Sequence, residues 1–161
     1  HADFIEEAGE YAPVTSSFLF NIAVSPNPMA MMGTMSMADQ LFVCQTNVIR
    51  RLADEGPCVI VGRCADYILR EKKNLLTVFL HAPMEYRVKR VMTDQSITNP
   101  TLAEKTIKKQ DKARADYYNF FTHKKWGDAG SAMLSVDTSM LDTDGIAALI
   151  ADAVTMVERN K

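Results

Sequence analysis

Residues 58–69 read CVIVGRCADYIL, and this stretch decides the fold class that the sequence predicts. Its first four residues are apolar and predict a buried β-strand, which ends where Gly62 allows a sharp turn. Arg63 and Asp66 follow from that turn, and a helix is predicted from about Asp66 to Glu71. Because ligands gather at the carboxyl ends of parallel strands, this arrangement indicates a binding site. Taken alone, it also fits an arginine that caps its own turn or forms a surface ion pair.

Strands and helices alternate on both sides of this stretch. The pattern predicts a helix over 39–55, a second strand over 75–82, a helix beginning at Pro83, a helix over 101–121, a third strand over 132–139 and a last helix ending near Arg159. Short, uninterrupted apolar strands separated by helices predict an α/β fold with a mostly parallel sheet flanked by helices. Ahead of these elements, residues 3–24 predict helical and then mixed structure, and residues 25–38 predict a methionine-rich loop.

Length and composition indicate one soluble domain over residues 1–161. Of the 161 residues, 47% are hydrophobic and 24% are charged, as is typical of globular proteins. The formal net charge of -2 argues against a general affinity for nucleic acid or for anionic membranes. No apolar run reaches the ~18 residues of a membrane span. Three cysteines without CxxC spacing favour reduced thiols, so we expect a cytoplasmic protein.

Charged side chains are concentrated in two later segments. Arg87 lies in the first turn of the helix after the second strand, and therefore faces the same sheet edge as Arg63. The second segment, within residues 105–114, is rich in lysine and shows no clean apolar stripe, which predicts an exposed and mobile helix. Asp111 and Arg114, three residues apart, share one face of it. Such a segment suits a flap that closes over polyphosphate, although a solvated helix face is an alternative explanation for both segments.

Together these segments resemble the cytidylate-kinase-like family of nucleoside monophosphate kinases, in the P-loop superfamily. The matching segments are CVIVGRCADYIL, VFLHAPMEYRVKRV, DKARADYYNFFTHKKWGD and LSVDTS, which follow the family's order within roughly residues 39–155. The resemblance implies a three-layer αβα fold with a lid region over about 101–128. It also implies phosphoryl transfer from ATP, with Mg²⁺ bridging the donor phosphates, to CMP or dCMP. The expected partners are therefore small-molecule nucleotides, with homo-oligomerisation left open.

The resemblance assigns the acceptor nucleotide to the first segment. Arg63, preceded by Gly62, would bind the CMP phosphate through its planar guanidinium. Asp66 would assist near the pyrimidine. In the more typical motif the aspartate directly follows the arginine, whereas two residues separate them here.

The resemblance assigns phosphoryl transfer to the later segments. Asp111 and Arg114 match an Asp-x-x-Arg of the lid, in which the arginine reaches the phosphates during transfer. Lys108 or Lys109 stands where a further lid arginine is usual, and a lysine lacks the planar fork of an arginine. Arg87 resembles a phosphate-side arginine of the helix that follows the strand.

One part of the family's pattern is missing from the sequence. No GxxxxGK[ST] or other glycine-rich turn is present that could cradle the donor phosphates. In the family this loop follows a first strand that precedes every matched segment. We therefore expect the given chain to lack its amino-terminal part, with the first strand and the phosphate loop.

Three interpretations remain open at this stage. The leading hypothesis is an ATP-dependent nucleoside monophosphate kinase. The missing loop and the altered lid also allow a non-catalytic nucleotide-binding or regulatory module on the same fold. The third interpretation is a structural α/β domain whose charged segments are merely solvated. Turnover separates the first two, and specific nucleotide binding would reject the third.

Overall fold

The computed structural model describes residues 36–159. It contains five α-helices, two β-strands and one short 3-10 helix. They are α1 (Met37–Glu55), α2 (Ala65–Ile68), β1 (Val78–His81), α3 (Met84–Asp94), α4 (Pro100–Thr122), the 3-10 helix (Ala129–Ser131), β2 (Leu134–Asp137) and α5 (Thr143–Arg159). The prediction for residues 3–24 lies outside the described residues, as does most of the loop predicted over 25–38. Of that loop, Met37 and Ala38 belong to α1.

The two strands form a parallel sheet, which confirms the predicted α/β fold class. Val78 pairs with Leu134, and the register continues to His81 opposite Asp137. Beyond the ladder, the Thr138 N–H donates to the carbonyl of His81 at 2.8 Å. Both strands are shorter than predicted, because the flanking apolar residues are not paired.

The strand predicted over residues 58–61 is wrong. The side chains of Val59 and Val61 are 95% and 87% exposed, and within residues 36–159 the sheet consists of β1 and β2 alone. A β-strand is stabilised by hydrogen bonds to a neighbouring strand, and an apolar run in the sequence does not by itself provide that neighbour. Arg63 therefore follows an exposed extended segment within the described chain, and not the end of a buried strand.

The described chain divides into two compact units, which are taken separately below. The first contains residues 36–70 and 113–126, and the second contains residues 71–112 and 127–159. The prediction of one domain over residues 1–161 stays a prediction.

An aromatic cluster forms the core of the first unit. Phe42 on α1 stacks on Phe121 with ring centroids 4.0 Å apart, and Tyr117 lies against Phe121 at 4.8 Å. All three side chains are buried. At the start of α1, the Ser36 hydroxyl accepts a hydrogen bond from the Asp39 N–H and thereby caps the amino-terminal end of the helix. The helix predicted over 39–55 is confirmed.

The helix predicted over 101–121 is also confirmed, and the lysines of its segment 105–114 are exposed as predicted, but the helix also carries buried apolar residues. In the second unit, Ala103 and Ile107 are buried; in the first unit, Tyr117 and Phe121 are buried. Each pair is four residues apart and so lies on one helix face. An alanine, an isoleucine and two aromatic residues make up these two pairs, and the lysines between the pairs conceal them in the sequence. Closure of the lid region stays a prediction.

Candidate functional site

A left-handed turn presents the candidate acceptor residues in the first unit. Gly62, Arg63 and Cys64 have φ angles of 68°, 55° and 56°. A Cβ on Gly62 would meet nothing within 4 Å, so it is the backbone conformation and not the space that favours glycine. At the other two positions an L-residue costs about 1–2 kcal/mol in this conformation. The turn closes through a 3.0 Å hydrogen bond from the Ala65 N–H to the Gly62 carbonyl.

Cys64 anchors this turn. Its side chain is only 3% exposed, and burial raises the pKa of its thiol to about 12, with Asp66 raising it further and Arg63 lowering it. A thiol with so high a pKa is neutral and unreactive near pH 7, because the thiolate is the nucleophilic form. Cys64 therefore holds the turn by packing and is not a nucleophile.

Asp66 receives a hydrogen bond from a residue that the sequence analysis did not select. Tyr118 Oη donates to Asp66 Oδ2 at 2.6 Å. Burial raises the pKa of Tyr118, and the hydrogen bond to Asp66 raises it further, so the hydroxyl remains a donor. The sequence does contain an indication that Tyr118 has a separate role, which is the adjacent pair Tyr117-Tyr118. Adjacent helical residues point about 100° apart, so only one of the two could join the aromatic core.

An open groove of about 300 Å³ lies beside the turn. It is lined by Cys44, Gln45, Val48, Ile49, Ile60 and Arg63. The carboxamide oxygen of Gln45 accepts a 3.0 Å hydrogen bond from Tyr117 Oη. The volume is at the lower end of the range for small-molecule sites. Sequence reasoning missed Gln45, because a single glutamine on an amphipathic helix carries no signal of its own.

In the second unit, Arg87 and Asp111 bind each other. Arg87 Nη1 donates to Asp111 Oδ2 and Nη2 donates to Oδ1, both at 2.7 Å. The hydrogen bonds to Asp111 raise the pKa of Arg87 above its already high ordinary value. The sequence analysis assigned both residues to nucleotide contacts, and the structure brings them together. Their roles towards a nucleotide stay predictions.

The remaining predicted residues lie exposed on α4. Lys109 belongs to the second unit and Arg114 to the first. The predicted site residues thus form two sets. Gly62, Arg63, Asp66 and Arg114 lie in the first unit, and Arg87, Lys109 and Asp111 lie in the second.

Two polar residues at the carboxyl ends of the parallel strands were not selected from the sequence. His81 ends β1 and Asp137 ends β2, and they face each other in the register. The Ser139 hydroxyl and N–H donate to Asp137 Oδ1 at 2.7 and 2.9 Å, and these bonds lower the pKa of Asp137. The signal that would have found them is a polar residue closing each apolar run.

The described residues form no group of three or more histidine, cysteine, aspartate or glutamate side chains that could hold a metal ion. Among the helices over residues 36–159, none combines the length and the apolar character that crossing a membrane requires.

Comparison with known proteins gives three results. The model of the cytidylate kinase-like family matches residues 1–140. A protein named cytidylate kinase from Methanocaldococcus jannaschii is 23% identical over 163 residues, which cover 98% of this chain and 91% of that protein. The crystal structure of an uncharacterized protein from Eubacterium ventriosum superposes with a TM-score of 0.71 at 26% identity, covering 96% of this chain and 81% of that one. The superposition supports the predicted fold.

Proposed function

This chain belongs to the cytidylate kinase-like family, and we propose that it transfers a phosphoryl group from ATP to a nucleoside monophosphate, CMP or dCMP. The family and the distant relative named cytidylate kinase support a kinase-like role. The acceptor is the finer part of the proposal. The observation that carries it is the left-handed turn over Gly62, Arg63 and Cys64.

Strain at this turn supports a binding role for Arg63. Residues held in sparsely populated backbone conformations cluster at ligand sites, because the surrounding structure must compensate for them. Here the strained residue carries a guanidinium, which suits the oxygens of a phosphate. We therefore assign the acceptor phosphate to Arg63, with Gly62 permitting the turn.

Arg114 is assigned to the transferring phosphoryl group, as the resemblance implies. Phosphoryl transfer depends on positioning and on dispersed positive charge more than on covalent catalysis. In the same scheme Arg87 and Lys109 also act on the phosphates during transfer, and Asp111 is assigned to substrate binding. Mg²⁺ enters the proposal as part of the MgATP substrate.

The proposal is tested by a coupled assay of ADP release from MgATP with CMP or dCMP as acceptor. We expect turnover that depends on the acceptor. The variant Arg114→Lys should lower kcat more than it raises KM, since the guanidinium acts mainly on charge that develops in the transition state. Arg159→Lys, at the exposed end of α5, is the matched control and should behave like the parent protein. An increase in KM with kcat unchanged would limit Arg114 to uniform binding.

A second candidate function is a nucleotide-binding module without catalysis. One observation favours it: the guanidinium of Arg87 already donates two hydrogen bonds to Asp111, so a donor phosphate would have to compete with a carboxylate. If CMP binds in calorimetry but no ADP is released under any acceptor concentration, this second function replaces the first.

A further inference from the structure

We propose that Tyr118 is a positioning residue for recognition of the acceptor base: its hydroxyl fixes the Asp66 carboxylate so that the other carboxylate oxygen accepts a hydrogen bond from an exocyclic amino group. The inference rests on the proposed function in one respect, which is that the first unit binds the acceptor nucleotide. It adds the residue that orients the carboxylate and the base chemistry that this orientation selects.

The geometry of the pair provides the first step. Tyr118 lies on α4 and Asp66 on α2, and the 2.6 Å distance from Oη to Oδ2 is that of a short hydrogen bond to a carboxylate. Both residues lie in the first unit and are half-buried. A carboxylate on a short side chain has one main freedom, rotation about its last bond. A hydrogen bond to one oxygen removes that freedom and directs the other oxygen.

The charge of the pair provides the second step. An ionised carboxylate accepts hydrogen bonds and donates none. Asp66 follows Arg63 by three residues on the same turn, and a negative group there repels the phosphate that Arg63 would bind. Asp66 is therefore suited to the opposite end of the nucleotide, where the ligand offers donors.

The nature of the ligand donor provides the third step. A ribose hydroxyl both donates and accepts, so an acceptor-only group gives it little selectivity. The amino group of cytosine only donates, and uracil carries an acceptor oxygen at that position. A carboxylate oxygen held in place by Tyr118 therefore favours CMP over UMP, and treats CMP and dCMP alike.

The experiment measures dissociation constants for CMP, UMP and dCMP by calorimetry on the whole chain. The readout is the ratio of the UMP to the CMP constant, which we expect to be about 10 or more in the parent protein, as for loss of a hydrogen bond to a charged group. Tyr118→Phe should lower that ratio at least threefold. The matched control is Tyr117→Phe, which removes a neighbouring hydroxyl whose 3.0 Å bond goes to Gln45 and should leave the ratio within twofold.

The variant Asp66→Asn tests the same idea without altering Tyr118. Because the tyrosine donates to the carboxamide oxygen, the amide nitrogen is left to face the base, and the preference should invert towards UMP. In Asp66→Asn with Tyr118→Phe the amide is free to turn over, so the ratio should approach 1. If Tyr118→Phe does not fold, the inversion in Asp66→Asn decides the question.

Several results would overturn the inference. The first is a ratio of the UMP to the CMP constant that stays unchanged in Tyr118→Phe or in Asp66→Asn. The second is an equal decrease of that ratio in Tyr117→Phe. A loss of affinity confined to dCMP, or a parent protein that does not prefer CMP, would also overturn it. Failure of the proposed function looks different. A chain that shows the predicted ratios but never releases ADP keeps the inference and loses the kinase assignment. If the chain releases ADP but Tyr118→Phe leaves the ratio of the UMP to the CMP constant unchanged, the kinase assignment stands and the inference about Tyr118 is lost.

Discussion

At the scale of single residues, the strained turn is the feature that links sequence to function. Two consecutive non-glycine residues, Arg63 and Cys64, adopt left-handed backbone angles. The combined cost is about 2–4 kcal/mol, which is a large fraction of the stability of an ordinary domain. Burial of the Cys64 side chain offsets part of it. A binding role for Arg63 stays a proposal, and its test is to separate the effect of the guanidinium from that of the backbone strain.

The first prediction separates the strain from the side chain of Arg63. Arg63→Ala and Arg63→Gly both remove the guanidinium, so both should weaken CMP binding by about 1.5–3 kcal/mol, measured by calorimetry. Only glycine adopts a φ of 55° without strain. We therefore expect Arg63→Gly to be more stable than Arg63→Ala by about 1 kcal/mol in urea denaturation. Equal stabilities would show that the turn relaxes when the arginine is absent.

The second prediction concerns the pH dependence of stability. The pKa of Cys64 is raised by burial from 9.0 to about 12 in the folded protein. Above pH 9 the unfolded thiol ionises while the folded one keeps its proton, so the free energy of unfolding falls as pH rises. We expect a slope of about 1 kcal/mol per pH unit between pH 9 and 10. Tyr118, whose pKa is also raised by burial from its ordinary value of 10.0, adds a loss of the same sign that is small near pH 9 and grows towards pH 10.

Two cysteine variants check this assignment. Cys64→Ala should lower the stability at pH 7 through lost packing, but it should remove the slope. Cys58→Ala changes an exposed cysteine and should keep it. A slope that persists in Cys64→Ala would trace the loss to another group.

Sequence reasoning found the residues that are close in the chain and missed their distant partners. Gly62, Arg63 and Asp66 were selected because their order along the chain already places them on one turn. Tyr118 is 52 residues away from Asp66, and Tyr117 is 72 residues away from Gln45. A hydrogen bond between residues so far apart in the chain depends on how the helices pack against each other, and this packing cannot be deduced from a single sequence.

At the scale of elements, the pairing of α3 with α4 depends on one charged contact. The side chains of Arg87 and Asp111 are 32% and 24% exposed, and they form two parallel hydrogen bonds. Such bidentate pairs are stronger and more directional than exposed ion pairs. The contact fixes α3 against the first half of α4, within the second unit.

The third prediction compares two arginines of α3. Arg87→Lys should destabilise the protein by about 1–2 kcal/mol in urea, because an ammonium cannot form both bonds of the fork. Arg90→Lys is the matched control. Its partner Asp94 is 3.4 Å away and both side chains are more than half exposed, so the change should stay within about 0.5 kcal/mol. Equal losses would mean that the bidentate geometry does not persist in solution.

The elements themselves were predicted unequally well, for a physical reason. The helices α1, α4 and α5 follow from the local sequence, since most of their backbone hydrogen bonds form within the segment. A strand needs a partner from elsewhere, so residues 58–61 look like a strand in the sequence and are unpaired in the described chain. The apolar runs over 75–82 and 132–139 do contain the paired strands β1 and β2, but only four residues of each run are hydrogen-bonded in the sheet.

At the scale of the whole molecule, α4 is the element that both units share. Its residues up to Lys112 belong to the second unit, and those from Ala113 onward belong to the first. A continuous helix cannot melt on one side of that point without exposing backbone groups on the other. This continuity predicts that the two units unfold together, and the sequence provides a means of testing it, because Trp126 is the only tryptophan.

The last prediction uses that tryptophan. Trp126 is the last residue of the first unit, so its fluorescence reports on its local surroundings there, whereas far-ultraviolet circular dichroism reports on the helices of both units. The two thermal transitions should coincide, as required for cooperative unfolding. If the acceptor binds at Arg63, CMP at 100 times its dissociation constant should add about 2.7 kcal/mol and raise Tm by roughly 5–10 °C, equally for both probes. Arg63→Ala should abolish the shift in both. A shift seen by fluorescence but absent from circular dichroism would mean that α4 does not melt as one continuous helix.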